Sequence, residues 1–344
     1  MNIKLLPNTK RSPLFPIRKL LIVSIICLFI VQKSTPSSAV SILRVEPSVL
    51  ELQNQAFYNL RRGKFIEVFK NCEELLAINK KSILAYELLQ VSYAAIGNFD
   101  RAQELIDSLK EASTNLSLTH LSKGIILLSQ QKFDEAVEEC QASISLDKDN
   151  PLALYYLGRI HSDKKEFEKA DTYFRKAVES EPALALAYTG LGINYLLQGN
   201  AQESFKSYKK ALEIDQDEHM ARMGLATILV GLKGYAKAIE QYKLVIKKVP
   251  TFIRAHQSLA ALYLQLGRFK DAIEQSNEIL KIDPNTAPAY LILARSYSYT
   301  DNFDDAIKNI NRFIEIQESS FEGNYLLGSF QMASGDIKSA KATR

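Results

Sequence analysis

The chain has 344 residues, of which 47% are hydrophobic and 24% charged, with only 14 glycines and 10 prolines. This composition excludes the disordered class of proteins, which lack enough apolar residues to form a core, and is typical of an ordered, helix-rich protein. The formal net charge is +4, but seven of the 43 basic residues precede Glu46, the first acidic residue. The remainder is slightly acidic, which argues against nucleic acid as a partner.

Residues 1–39 have the pattern of a secretory signal peptide. A basic stretch ends at Lys19, residues 20–31 are apolar without interruption, and small residues follow at Ser37 and Ala39. The apolar run has about a dozen residues, whereas a helix needs about 20 to span a bilayer. We expect export with cleavage after Ala39. The alternatives are an anchor that keeps residues 20–31 in the membrane, and an organellar transit peptide.

After a linker of residues 40–48, a period of 34 residues continues to the last residue without insertion or deletion. In each period two apolar-periodic segments of about a dozen residues flank a turn, which predicts an antiparallel helix pair. The array therefore covers residues 49–344, with an incomplete last repeat. Repeats 1 to 9 begin at Val49, Ile83, Ser117, Pro151, Ala185, His219, Ile253, Ala287 and Phe321.

Several places, counted from the first residue of each repeat, have a constant character. The eighth and twentieth places are small in most repeats, as in Gly158 and Ala170, which allows two helix backbones to approach closely. The seventeenth place is aromatic in seven repeats, which predicts a core stripe at the start of the second helix. The fifteenth place favours a left-handed residue after the first helix, and it is glycine at Gly63, Gly97, Gly199, Gly267 and Gly335.

This pattern resembles the tetratricopeptide repeat. In repeat 4 the resemblance is carried by Leu157, Gly158, Ala170, Phe174, Ala177 and Pro182, and repeat 5 carries it at Tyr188, Leu191, Gly192, Tyr195, Tyr208 and Ala211. The resemblance implies an all-α fold, in which antiparallel helix pairs stack into an α-solenoid with the course of a right-handed superhelix. His161 departs from the pattern at a place where an aromatic residue is expected.

The same resemblance implies that the first helix of each repeat lines a concave inner face that holds segments of protein partners. Places 2, 5, 9, 12 and 13, called the inner places below, are then the candidate contacts. They are largely apolar through repeat 6, which favours an amphipathic helix or an apolar extended segment as ligand. The alternative is that a tight superhelix buries this face against itself. The candidate residues are Leu84, Leu118, Leu121, Ile125, Leu152, Tyr155, Arg159, Leu186, Ile193, Leu196, Met220 and Met223.

The sequence offers no pattern typical of catalysis, and we expect no enzyme activity, cofactor or metal. The four histidines occupy differing places, His120 and His256 the fourth, His161 the eleventh and His219 the first, which favours packing roles. Residues 161–163 read His-Ser-Asp, but neighbours one and two apart on a helix point in different directions and cannot form a catalytic triad.

Cys72 and Cys140 lie two repeats apart at equivalent places. Packed helices are about 8 to 10 Å apart, so the two thiols are separated by roughly 20 Å. A disulfide requires α-carbons within about 7 Å, so we predict two unpaired core cysteines.

These observations predict a non-enzymatic scaffold for protein–protein interaction. The leader places it outside the cytoplasm, in a periplasmic or other extracytoplasmic space, or at a membrane, and suggests a role in envelope assembly or secretion. The alternative is the repeat portion of a larger enzyme, such as a glycosyltransferase or peptidase, whose catalytic domain follows Arg344. The array also stops partway through repeat 9, which leaves an apolar edge without the usual polar cap. Either the natural protein is longer, or this edge pairs with another molecule, with self-association as one form, or the last turn frays.

Overall fold

A computed structural model describes residues 47–109, 114–318 and 320–342, which form 18 helices and no strand. The first helices of repeats 1 to 9 are α1 (Pro47–Arg61), α3 (Ile83–Ala95), α5 (Leu116–Ser129), α7 (Pro151–Asp163), α9 (Ala185–Leu197), α11 (His219–Gly231), α13 (Ile253–Gln265), α15 (Ala287–Ser298) and α17 (Phe321–Ala333). The second helices are α2 (Phe65–Ile78), α4 (Phe99–Leu109), α6 (Phe133–Leu146), α8 (Phe167–Ser180), α10 (Ala201–Ile214), α12 (Tyr235–Lys248), α14 (Phe269–Ile282), α16 (Phe303–Ile316) and α18 (Ile337–Ala342).

The helices pack in sequence order, as in an α-solenoid. From repeat 2 onward, each first helix packs against the second helix of its own repeat and against the second helix of the repeat before it. First helices of neighbouring repeats also contact each other through much of the array. The predicted all-α solenoid of antiparallel helix pairs is confirmed.

The turn between the two helices has the same backbone conformation in all nine repeats. Five of the residues at place 15 are the predicted glycines, with φ between +68° for Gly63 and +89° for Gly335. The other four repeats adopt the left-handed region without glycine, at Gln131, Lys165, Lys233 and Asp301. A left-handed non-glycine residue costs roughly 1–2 kcal/mol, so the helix pairing determines this conformation even where the residue type opposes it.

Glycines at places 6 and 8 form a slot for a large ring. A β-carbon on Gly158 would lie 2.6 Å from Cδ1 of Phe174, and Gly190 of the next repeat contacts the same ring. Gly192 and Gly224 enclose Tyr208 in the same way. Real β-carbons do not approach other atoms this closely, so these positions require glycine for the repeats to stack.

In four repeats the side chain at place 4 joins the first helix to the preceding loop. Tyr86, Arg222, His256 and Tyr290 each donate a hydrogen bond to a backbone carbonyl six residues earlier in the chain. Residues as different as tyrosine, arginine and histidine therefore make one recurring contact between the helix and the loop before it.

The aromatic residues at place 17 are the first residues of their second helices, as expected from the sequence. They are half-buried rather than fully buried, and most of them pack against the edge of the core. The fully buried positions are instead the small residues at place 20, such as Ala136 and Ala170.

Candidate functional site

The candidate inner-face residues divide into two groups by burial. In repeats 3 and 4 all of them except Arg159 are buried, with Leu121 completely inaccessible and Leu152 exposed by 1%. From repeat 5 onward the candidate residues are more accessible to solvent: Ile193 is 36% exposed, and Leu197, one turn further along the same helix, is 58% exposed. Met223 in repeat 6 is an exception, because it is buried. The buried candidates are Leu118, Leu121, Ile125, Leu152, Tyr155 and Met223; half-buried are Leu84, Leu186, Leu196 and Met220; exposed are Arg159 and Ile193.

The buried group belongs to one continuous core. A single cluster of buried apolar side chains extends from Ala56 in α1 to Leu191 in α9, and it includes the inner-place residues Leu121 and Leu152. Repeats 5 to 9 have separate, smaller clusters. An inner face that is part of such a core is not available to a ligand in this conformation. The prediction of a groove therefore narrows to the later repeats.

Contacts between distant repeats accompany this burial. Lys64 Nζ, in the turn between α1 and α2, lies 3.0 Å from Asp215 Oδ2 at the end of repeat 5. Arg61 donates hydrogen bonds to the carbonyl of Asp149 at 3.0 Å and to Oγ of Ser180 at 3.3 Å. Between these two basic residues, the α-carbon of Gly63 lies against Leu186, so that a β-carbon there would be 2.6 Å from Cδ1.

These contacts were missed by the sequence reasoning. Gly63 was assigned only to its local turn, and Lys64 was not singled out at all. No signal within one repeat indicates them, because the partners are 151 residues apart in the case of Lys64 and Asp215.

The inner places of α7 carry a polar row beside this contact. Tyr155, Arg159 and Asp163 occupy places 5, 9 and 13 of repeat 4. Burial raises the pKa of the Tyr155 hydroxyl, an effect that Arg159 partly offsets, and burial likewise raises the pKa of the Asp163 carboxyl. The Arg159 guanidinium also lies 5.6 Å from the ring centre of Tyr156. In this row Tyr155 is buried, whereas Arg159 and Asp163 are exposed.

Two buried carboxylates cap first helices. Glu218 accepts a hydrogen bond from the Met220 backbone N–H at 3.0 Å, at the start of α11. Its pKa is raised mainly by burial, and the neighbouring His219 opposes this shift. Glu87, at an inner place of repeat 2, accepts hydrogen bonds from the backbone N–H groups of Thr114 and Asn115. Both carboxylates fasten the loop that leads into a helix.

The histidines contact neighbouring helices. His120 Nδ1 lies 2.5 Å from a carboxylate oxygen of Glu139, and the ring of His219 meets Phe252 edge-on at 5.1 Å. His161 stacks on Tyr173 at 5.3 Å. In the part of the chain that the structure describes, no group of three or more His, Cys, Asp or Glu side chains is arranged to hold a metal ion.

The His-Ser-Asp run of repeat 4 does not form a triad. His161 Nδ1 pairs with Glu166 at 2.9 Å. Ser162 Oγ is buried and has no hydrogen-bond partner among the described residues. The hydroxyl therefore has no base in contact with it that would activate it as a nucleophile.

Both described cysteines are unpaired and buried, as the spacing predicted. Burial raises the pKa of each thiol to about 12, and Cys140 fits against the α-carbon of Gly124. Thiols with such a pKa are protonated at neutral pH and are poor nucleophiles. They serve as small core residues.

The predicted leader, cleavage site and linker lie outside the described residues, apart from the last positions of the linker. Within the described residues, every helix is too short or too polar to cross a bilayer.

Models of the tetratricopeptide repeat match residues 119–150, 151–184, 185–218, 233–297 and 287–320. Together these segments cover more than half of the chain.

Curated relatives contain similar arrays. Anaphase-promoting complex subunit 3 of Schizosaccharomyces pombe is 24% identical over 234 residues, which are 58% of this chain and 35% of that protein. A probable UDP-N-acetylglucosamine–peptide N-acetylglucosaminyltransferase of Hordeum vulgare, SPINDLY, is 26% identical over 130 residues, which are 36% of this chain and 14% of the enzyme. The chain spans about a third or less of the length of these relatives.

Among solved structures, the Cut9–Hcn1 hetero-tetramer of the same complex aligns with a TM-score of 0.70 at 20% identity, over 84% of this chain and 57% of that chain. PilW, a type IV pilus biogenesis factor, aligns with a TM-score of 0.55 at 19% identity, over 62% of this chain and all of PilW. At these identities the likeness concerns the fold alone. The period, the helix pairs and the matching models agree, and the chain belongs to the tetratricopeptide repeat family.

Proposed function

We propose that this protein is a non-enzymatic scaffold that binds an apolar or amphipathic segment of a protein partner on the inner face of repeats 5 to 9, called the open face below. The observation that carries the proposal is the change in burial at the inner places. At place 9, Ile125 of repeat 3 is 5% exposed and Ile193 of repeat 5 is 36% exposed. At place 12, Leu128 of repeat 3 is buried, whereas Leu196 of repeat 5 is half-buried, and the adjacent Leu197 is 58% exposed. Exposed apolar side chains that lie together on one face are typical of an interaction surface.

Charge also differs along the open face. Repeats 5 and 6 present mainly apolar inner places, such as Ile193 and Met220, whereas repeat 7 presents Arg254 and Gln265. Arg295 in repeat 8 pairs with Glu322 of repeat 9 at 2.5 Å. A bound segment that is apolar at one end and acidic at the other would complement this surface.

The test is photo-crosslinking in the native cell, with a photoreactive amino acid in place of Leu197 on the open face or of Leu146 on α6. Leu146 is the matched control, because its exposure of 57% is nearly the same and it lies on a second helix. We expect specific protein adducts from position 197 only. A double variant, Ile193→Lys with Leu197→Lys, should then lose the adducted partner in a pull-down. Retention of every partner by this variant would overturn the proposal.

We further propose that the protein acts outside the cytoplasm or at a membrane, in envelope assembly or secretion. The support is the leader pattern in residues 1–39. Mass spectrometry of the mature amino terminus in the native cell tests it. A chain that begins at Val40 supports export, and a chain that retains residues 20–31 and fractionates with membranes supports an anchor. A full-length chain in the cytoplasm would contradict both.

The rival proposal, the repeat portion of a larger enzyme, has one supporting observation. The barley relative is named a glycosyltransferase and is much longer than the matched segment. Sequencing the native transcript beyond the Arg344 codon decides between the two. A stop codon at that point removes the rival, and a downstream catalytic domain would replace the scaffold proposal.

The edge formed by repeat 9 supports a proposal of self-association. Phe321, Tyr325 and Ile337 are 86%, 66% and 60% exposed, and the two aromatic rings stack at 6.4 Å. A second copy of this edge is the proposed occupant. Sedimentation of the protein should show a dimer that Phe321→Lys with Ile337→Lys converts to monomer. If the parent protein sediments as a monomer, self-association through this edge is excluded.

A further inference from the structure

We propose that the turn between α1 and α2 is a releasable latch that holds repeats 1 to 5 closed on their own inner face. The latch consists of Arg61, Gly63 and Lys64, and its seat consists of the Asp149 carbonyl, Ser180, Leu186 and Asp215. Opening the latch would extend the open face toward repeats 3 and 4. This inference concerns a conformational change and does not depend on the function proposed above.

The latch differs from the other side-chain hydrogen bonds and ion pairs of the described residues, which lie within one repeat or join neighbouring repeats. In a solenoid each repeat normally contacts only its immediate neighbours. Here one turn of repeat 1 reaches residues of repeats 3, 4 and 5, at sequence separations of 88 for Arg61 and Asp149, 119 for Arg61 and Ser180, and 151 for Lys64 and Asp215. These contacts join repeats that are not neighbours. They therefore add a connection that the packing of neighbouring repeats does not provide.

The fit of the latch is specific. Gly63 has a φ of +68°, which suits glycine, and a β-carbon there would lie 2.6 Å from Cδ1 of Leu186, so any side chain at this position would displace Leu186. Basic side chains on either side of Gly63 meet oxygen atoms only: a backbone carbonyl, a serine hydroxyl and a carboxylate. The seat is thus complementary to the turn in both shape and charge.

The contacts are also of a kind that can open. The side chains of Lys64 and Asp215 are 30% and 28% exposed, so water and salt reach the ion pair. Partly exposed ion pairs contribute little to stability and weaken as ionic strength rises. The apolar atoms nearest to Gly63 belong to the side chains of Leu184 and Leu186. Because water reaches the ion pair, the latch should open locally at a lower free energy than the stacked core.

One part of the seat, Leu186, belongs to the inner face, while the rest lies at the ends of second helices and in the loops that follow them. Leu186 is a candidate groove residue at place 2 of repeat 5, and Glu218, buried at the start of α11, follows Asp215 by three residues. When the turn occupies this position, it covers the part of the inner face where the buried first half meets the open second half. The turn therefore sets where the accessible face begins.

The test is the distance between spin labels at Glu67→Cys on α2 and Lys209→Cys on α10, two exposed positions on either side of the latch. The full chain is used with Cys27→Ser, and the buried thiols of Cys72 and Cys140 are left in place. Four versions are compared: the parent, Lys64→Glu, the charge-exchanged Lys64→Asp with Asp215→Lys, and Lys248→Glu. The last removes an ion pair of the same length, Lys248 with Asp217 at 3.0 Å, outside the latch.

We expect Lys64→Glu to add a population at longer distance that is absent from the parent at low salt. The charge-exchanged variant should restore the parent distribution, and Lys248→Glu should leave it unchanged. Raising the salt to 1 M should shift the parent toward the Lys64→Glu distribution. The proposal is overturned if Lys64→Glu matches the parent, or if charge exchange fails to restore a distance that Lys64→Glu altered, since the latter would indicate general destabilisation.

Discussion

The ring of Tyr208 lies directly against the α-carbon of Gly192, so that a β-carbon at that position would be 2.5 Å from Cε1 of the ring. Tyr208 is 1% exposed and is also enclosed by Gly224 of the next repeat. The ring cannot move away without displacing a neighbouring helix. The ring therefore fills the space that side chains on Gly192 and Gly224 would need.

Gly192→Ala should therefore destabilise the array. Overpacking of a filled core typically costs about 1–3 kcal/mol, and we expect a net loss of that size in urea denaturation, despite the better helix propensity of alanine. Gly231→Ala is the matched control, since Gly231 is helical and nothing lies within 4 Å of its added methyl. It should raise stability by up to about 1 kcal/mol. If the two substitutions changed the free energy of unfolding equally, the tight contact between Gly192 and the Tyr208 ring would not limit stability.

The fifteenth place allows a test of backbone strain. Lys233 has a φ of +59° at a place where five other repeats have glycine. Lys233→Gly should stabilise the protein by up to about 1 kcal/mol, because glycine adopts this region without the cost of roughly 1–2 kcal/mol that other residues incur. The reverse change, Gly199→Ala, should destabilise it, although space for a methyl is available. Thermal unfolding of the two variants is the measurement, and a loss of stability in Lys233→Gly would contradict the expectation.

Glu87 should be required for the junction between repeats 2 and 3. Its carboxylate accepts from the backbone N–H of Asn115 at 2.8 Å and from the Thr114 N–H and hydroxyl. Glu87→Ala leaves these donors without that acceptor, and we expect a loss of about 2 kcal/mol in urea denaturation. Glu87→Gln keeps one acceptor oxygen and should lose clearly less. Identical losses for the two variants would show that the hydrogen bonds contribute nothing.

Glu218 should make stability depend on pH. Burial raises its pKa in the folded protein above the value of about 4.3 that an unfolded glutamate has. The folded state therefore holds this proton more tightly, so its contribution to the free energy of unfolding decreases as pH rises from about 4 through the folded-state pKa. Glu218→Gln removes the buried charge and can still accept from Met220. The variant should be more stable than the parent at pH 7, and this advantage should disappear at pH 4. An advantage that is independent of pH would contradict the raised pKa.

The repeat pattern was sufficient to predict the local structure. The place-15 glycines predicted left-handed turns, and the place-17 aromatics predicted the start of seven of the second helices, because both depend on residues close together in the chain. Lys165 and Asp301 show the limit of prediction from local sequence. They adopt the same left-handed conformation although their residue types disfavour it, because the packing of the two helices determines it. Cys72 and Cys140 were predicted as separate core residues from the spacing of repeats alone.

The candidate site depended on tertiary structure. Ile125 and Ile193 are the same residue type at place 9 of repeats 3 and 5, yet they are 5% and 36% exposed. Ile125 belongs to the continuous core of the first repeats, whereas Ile193 does not. A period of 34 residues repeats the same local information in every repeat, so it determines how neighbours stack. Which distant repeats meet, as Gly63 meets Leu186, is decided only in the folded chain, because the residues in contact lie far apart in the sequence.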